Sequence, residues 1–220
     1  GIAGAGAIGC TLAARLAGNG HTVNVLARGE TLTAIRRDGI HLSDLDGHHH
    51  VRVEASDNAA SLGVQDLIFL CTKAQALASL LPQLQPMIGA ETAVIPVING
   101  VPWWYFHGEG GRYEGQRVSA VDPQSTLNQA LDLRHVIGCV VFITAHCPAN
   151  AVAESNTPHL MIFGEPDNRL SARLERVRAL IESVGIEARA TDRIRDNLWT
   201  KIIANLTSNP LSVITGATLD

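Results

Sequence analysis

The sequence of 220 residues is short of several things, and each shortage excludes a class of function. Charged residues make up 17% of it and aromatic residues 4%. No apolar run approaches the roughly 20 residues that a membrane-spanning helix needs. The 17 Lys and Arg against 21 Asp and Glu leave a formal charge of −4, which argues against a general binder of nucleic acid or membrane surfaces. Only four cysteines occur, Cys10, Cys71, Cys139 and Cys147, and none has CxxC or zinc-like spacing. Their apolar or helix-start neighbourhoods predict buried free thiols, which suit a reducing compartment. There is no basic leader with a cleavage pattern, no internal repeat and no low-complexity tract, so a cytoplasmic protein is expected. What remains is 46% hydrophobic, enough for a substantial core.

His48-His49-His50 is the one local cluster of metal-ligand type. Adjacent strand residues point to opposite faces, and no Cys or carboxylate stands at helical spacing to complete a ligand set. An exposed turn is expected there, and no metal.

The chain opens on Gly1-Ile2-Ala3-Gly4-Ala5-Gly6-Ala7-Ile8-Gly9. Ile2 and Ala3 read as the tail of an apolar strand, and the Ala/Leu-rich segment from Cys10 to Ala17 has helical periodicity. In a strand, turn and helix of this kind, Gly4 permits the turn and Gly6 lets backbone N–H groups, with those of Ala7 and Ile8, approach a pyrophosphate. Gly9 lets the helix pack close to the strand. A second strand follows over Thr22 to Ala27, so the GxGxxG pattern sits in the context that a dinucleotide site requires. That strand ends in Arg28 where an NAD site would place an acid. A guanidinium suits a 2′-phosphate, so NADP is expected, although a solvated arginine would look the same and Glu30 lies close by. Because the chain begins on Gly1 rather than Met, residues preceding it are expected.

Further on, Thr31 to Arg37 reads as a short helix, and Ile40 to Val53 as a hairpin turning at Asp46-Gly47. Asp66 to Cys71 is a continuous apolar run of the buried parallel type, leading into a helix from Thr72. Lys73 at its carboxyl end is placed to meet cofactor or substrate, or simply to face solvent in a first turn. Thr92 to Ile98 is the next strand, and Asn99 at its end can orient a ribose hydroxyl or a substrate oxygen, or occupy a left-handed turn before Gly100. Trp103-Trp104-Tyr105-Phe106 either walls the nicotinamide side of a cleft or packs the next element. Val136 to Ala145 is another strand, and Ala151 to Glu154 and His159 to Phe163 read as an antiparallel pair with Pro148 and Pro158 in the turns. Ser171 to Ser183 is an amphipathic helix, and Ile186 to Ala190 a last short strand.

From Asp192 the character changes. Lys201, Asn205 and Asn209 recur every fourth residue, forming one polar ridge on a helix, with Leu198, Trp199, Ile202, Ile203 and Leu206 covering the other face. An amine and two amides in line suit a carboxylate-bearing substrate whose developing alkoxide needs a proton, or a partly buried helix whose asparagines satisfy nearby backbone.

Taken together, GAGAIG at the start, Arg28, Cys71-Thr72-Lys73, Asn99-Gly100-Val101 and Leu198-Trp199-Thr200-Lys201 with Asn205 and Asn209-Pro210 resemble the ketopantoate reductase (2-dehydropantoate 2-reductase) family. The resemblance runs from Gly1 to about Leu219. It implies an α/β fold: a Rossmann-type, doubly wound and mostly parallel sheet over residues 1–191, followed over 192–220 by the truncated start of an all-helical C-terminal domain. It implies Lys201 as the catalytic acid, substrate contacts from Asn99, Asn205 and Asn209, and Lys73 near the cofactor. The activity expected is NADPH-dependent reduction of a small-molecule 2-keto acid, 2-dehydropantoate, to pantoate on the route to pantothenate and coenzyme A. A relative acting on another branched 2-keto acid, or a non-catalytic NADP-sensing module, are the alternatives. A homodimer is compatible with either.

Overall fold

The computed structural model describes residues 1–216. In chain order its elements begin with β1 (Ile2–Ala3), α1 (Ala7–Gly18), β2 (Asn24–Leu26), α2 (Gly29–Asp38), β3 (Ile40–Asp44), β4 (Gly47–Val51), β5 (Glu54–Ser56) and β6 (Gln65–Leu70). There follow α3 (Leu77–Leu80), β7 (Ile88–Pro96), α4 (Thr126–Ala130), β8 (Gly138–Phe142) and β9 (His146–Ala149). The last are β10 (Val152–Glu154), β11 (Leu160–Gly164), α5 (Ala172–Ser183), β12 (Glu187–Ala190) and α6 (Ile194–Thr215).

Five parallel strands form the main sheet in the order β5-β2-β1-β6-β7, the doubly wound arrangement. A parallel bridge between Val94 and Val136, with Ile137 N–H donating to Val94 O at 3.0 Å, carries that sheet on to the β8-β11-β12 group. The apolar runs of the central strands follow from burial on both faces. Phe69, Ile95 and Val141 pack into one core with α1 and α5, while Ile68, Val94 and Val140 pack into a second with α3, Trp103, Trp104 and the first turns of α6. A smaller sheet, β4-β3-β10-β9, lies against α1. It is tied there by buried Arg15, whose guanidinium bonds Asp44 Oδ2 and Asp46 Oδ2 at 2.7 and 2.6 Å.

Several expectations from the sequence need correcting. The segments 151–154 and 159–163 are not an antiparallel pair. β10 turns back on β9 through Asn150 and Ala151 and pairs on its other side with β3, whereas β11 lies between β8 and β12. The apolar run Leu-Met-Ile-Phe requires a strand covered on both faces, and only that central position provides one. Pro148 stands inside β9, an edge strand, where its missing N–H costs no ladder bond. No long helix begins at Thr72. Short 3-10 turns at Ala74–Ala76 and Leu81–Met87 flank a four-residue α3, because Pro82 and Pro86 remove the N–H groups that a longer helix would need. The hairpin turns at Leu45-Asp46, with Asp44 opposite Gly47. Cys10 and Cys139 are buried as expected, but Cys147 is exposed on the edge strand.

α6 starts at Ile194, and Ile194 and Leu198 are buried in the second core. Arg195 fixes this start by donating to the carbonyl oxygens of Tyr105, Pro166 and His107 at 2.7–2.8 Å. Beyond that anchor the apolar face is not covered among the described residues: Trp199, Ile203 and Leu206 are 44%, 60% and 66% exposed. Residues 217–220 of the expected helical segment lie outside the described residues. No helix among the described residues is long and apolar enough to cross a membrane, and none of them form a cluster of metal-ligand type. The three histidines 48–50 lie on strand β4 and not in the exposed turn expected of them, with His48 and His50 exposed and His49 half-buried.

Candidate functional site

The carboxyl ends of β1, β2 and β6 open on a cleft of about 700 Å³ lined by Gly4, Ala5, Gly6, Arg28, Thr31 and Lys73 among others. Gly4 has φ +102°, and a side chain there would collide with Thr72 Cγ2 at 2.6 Å. Gly9 has no room at all, since a Cβ would stand 2.0 Å from Gly4 O and 3.2 Å from Cys71 Cβ. Gly6 differs from both. Nothing lies within 4 Å of its would-be Cβ, so here the missing side chain leaves open space at the head of α1. Gly6 caps α1 with no side-chain hydrogen bond and no acid follows in the first turn. The N–H groups of Ala7, Ile8 and Gly9 therefore lack intrahelical acceptors and, with the helix dipole, favour an anion.

Arg28 stands at the N-cap of α2 and Lys73 at the start of the 3-10 turn after β6. Both line the cleft, and among the described residues neither side chain has a hydrogen bond or ion pair. Asp57 is the one carboxylate in that lining. Two free cations and a bare helix N-terminus against one acid make a site for a polyanion. Glu30, whose position could have opposed a 2′-phosphate, is not part of the lining. Its carboxylate accepts from Asn150 Nδ2 at 3.4 Å, and the same amide's oxygen accepts from Thr31 Oγ1 at 2.9 Å. No local pattern discloses this contact, because Asn150 lies 119 residues beyond Thr31. Thr31, Asp57, Gln75 and Gln83 also line the cleft and were missed for want of a pattern around them. Such a cleft fits the diphosphate and 2′-phosphate of a dinucleotide.

The second part of the site lies at the foot of α6. Asn99, Lys201 and Asn205 line one small cavity between the end of the β7 strand and β8, and Asn205, Asn209 and Gly100 line the adjoining groove. The polar ridge read from the spacing of four is therefore met by Asn99 across the gap. Asn99 does not line the larger cleft, and Ala74, between the two, borders the cavity beside it. Lys201 is half-buried; its ammonium donates to Val141 O and lies 5.1 Å from the Phe142 ring centroid. Burial holds its pKa below the ordinary lysine value, opposed by the Cys139 thiol. A lysine so placed is a better proton donor near neutrality than one in water. Trp103 and Trp104 are buried in the second core, while Tyr105 accepts from Trp199 Nε1 at 2.8 Å and so braces α6.

Known proteins share this sequence and this fold. The sequence profile of the family described as "Ketopantoate reductase PanE/ApbA" matches residues 1–168. A 2-dehydropantoate 2-reductase of Mesorhizobium japonicum is 39% identical over 219 residues, 99% of this chain and 67% of its own length. A crystal structure from Ralstonia solanacearum MolK2, which carries the ketopantoate reductase name provisionally, superposes with a TM-score of 0.94 at 42% identity, over 99% of this chain and 67% of that one. The ternary structure of D-mandelate dehydrogenase with NADH and anilino(oxo)acetate shares the fold at 18% identity, with a TM-score of 0.79 over 98% of this chain and 64% of that one. The chain thus spans about two thirds of the length of these relatives. Its fold is that of a Rossmann-type protein related to NAD(P)-binding reductases.

Proposed function

The chain belongs to the ketopantoate reductase PanE/ApbA family, and from that premise we propose that it reduces 2-dehydropantoate to pantoate with NADPH. Residues 1–191 serve as the cofactor-binding part, and 192–220 begin the part that meets substrate. The observation that carries the reading is the meeting of Lys201, Asn205 and Asn99, from distant stretches of sequence, around one cavity beside the dinucleotide cleft.

Backbone N–H groups at the head of α1 receive the diphosphate, and Arg28 receives the 2′-phosphate through charge-assisted hydrogen bonds. Lys73 adds positive charge along the same path. A bound nicotinamide supplies the hydride that reaches the 2-keto carbon. Lys201 enters as the ammonium, exchanges its bond to Val141 O for one to the keto oxygen, and polarises that carbonyl. As negative charge develops on oxygen, the lysine transfers its proton there and later regains one from solvent. Desolvation, which lowers the lysine pKa, makes this transfer easier at neutral pH. Asn99 and Asn205 hold the polar end of the keto acid in the reacting geometry, where small misplacements are costly.

The experiment is Lys201→Ala, with turnover and NADPH affinity measured on the same sample. Loss of a general acid predicts a fall in kcat of about 10²- to 10⁴-fold with the NADPH Kd unchanged. Unaltered kcat would refute the assignment of Lys201, and a comparable loss of NADPH binding would make it a structural residue.

A further inference from the structure

Two of the four cysteines, far apart in sequence, meet in the fold. Cys10 stands in the first turn of α1, directly after Gly9, and Cys147 lies on β9, the edge strand of the smaller sheet that packs against α1. Their thiols are in direct side-chain contact. They differ in access. Cys10 is wholly buried, and burial pushes its pKa up to about 12, whereas Cys147 is exposed. A reagent from solvent therefore meets Cys147 first and reaches Cys10 only through it.

The backbone around Cys147 has room to give. β9 is bonded on one side only, to β10, and the register of that pairing shifts between Val152 and Glu154, opposite Cys147 and Pro148. Pro148 has no N–H to commit to a ladder. A disulfide holds its sulfurs at about 2.05 Å, and a small movement of this irregular edge toward α1 brings the thiols from contact to bonding distance.

Both ends of such a link touch the dinucleotide cleft. In the reduced protein Cys10 Sγ–H donates to Ala5 O at 3.3 Å, and Ala5 belongs to the glycine turn and lines the cleft. The turn after β9 carries Asn150, which bonds Thr31 and Glu30 at the head of α2, and Thr31 lines the same cleft. A cross-link takes the S–H away from Ala5 O and pulls on the hairpin that carries Asn150.

We propose that Cys10 and Cys147 form a reversible disulfide that lowers the affinity of the cleft for its dinucleotide. The oxidant is a low-molecular-weight disulfide. Cys147, having lost its proton to water, attacks one sulfur of that reagent, joins it in a mixed disulfide and releases the other half as a thiolate. Cys10, its proton likewise lost to water, then attacks Cys147 Sγ, and the second half leaves as a thiolate. Two protein thiols are oxidised, and one reagent disulfide is reduced to two thiols. The effect on binding rests on the cofactor reading; the disulfide itself does not.

The test treats the unmodified chain with oxidised glutathione, maps its peptides by mass without reduction, and titrates NADPH before and after. One linked pair of peptides carrying Cys10 and Cys147 is expected, reversed by dithiothreitol. The NADPH Kd of the oxidised form should rise about twofold to tenfold, the worth of one hydrogen bond. Cys10→Ala should stop at glutathione on Cys147, and Cys147→Ala should lose both the link and the change in Kd. No reaction at either cysteine, or glutathione left on Cys147 of the unmodified protein with no link to Cys10, would overturn the disulfide. A link with an unchanged Kd would overturn its coupling to the cleft. The peptide map of the unmodified protein decides the first point even where a variant does not fold. Reduced protein that binds no NADPH would sink the cofactor reading and the coupling together, while the linked peptides would still stand.

Discussion

At the end of β1 the chain builds its site from backbone; at the foot of α6 it builds it from side chains. The glycine turn is rigid by exclusion. Gly9 cannot carry a Cβ because Gly4 O lies 2.0 Å away, and Gly4 is held against Thr72. What the turn offers a ligand is a set of N–H groups that no side-chain substitution can supply. α6 is the opposite case. Its first turns are anchored by Ile194, Leu198 and Arg195, after which large apolar residues stand exposed, and the proposed proton transfer relies on polar side chains along one ridge. Binding of a polyanion tolerates a site made of many weak, fixed dipoles, whereas proton transfer needs one titratable group at one place.

The sharpest way to break this comparison is Gly9→Ala. The backbone of the turn must move, at a cost of about 1–3 kcal/mol or more, and NADPH binding should be lost; a thermal melt and a cofactor titration read both. Arg28→Ala should weaken NADPH about 10- to 100-fold, the worth of a charged hydrogen bond or two, and leave NADH nearly unchanged. Parallel titrations with the two cofactors check this, and an equal loss for both would deny Arg28 the 2′-phosphate. Gly6→Ala sharpens the contrast with Gly9. Its methyl meets no protein atom, so stability should hold within about 0.5 kcal/mol while NADPH affinity falls, because the methyl enters the ligand's space.

The smallest effect concerns pH. Lys201 has a folded pKa below the ordinary 10.5 because burial disfavours its charge. As a proton donor it must be charged, so kcat should fall with rising pH at a point below 10.5. Stability has the opposite sign. Between the lowered value and 10.5 the unfolded chain binds the extra proton, so this residue's contribution to stability rises with pH across that window. A pH–rate profile whose alkaline limb stays at 10.5 or above would contradict the desolvated lysine.

How much of this was legible in the sequence follows from the same contrast. The glycine turn and the α6 ridge are local patterns, one of spacing in a turn and one of helical period, and both stand in the structure where the pattern put them. The pairing of β10 and β11 was misread because nearness in sequence was taken for partnership, while β8, β3 and β12 compete for the same edges. Glu30 complicates the choice of NADP in the sequence because nothing around it discloses its hydrogen bond with Asn150. The tryptophan pair was visible, but that its N–H groups lack acceptors among the described residues depends on everything packed around them. Local periodicity is written in the chain; the satisfaction of polar groups is a property of the whole fold.

The most direct measurement is NADPH oxidation on addition of 2-dehydropantoate, with pantoate quantified in the same samples. The account predicts that NADPH consumed and pantoate formed rise together in equal amounts. NADPH binding without any such oxidation would contradict it.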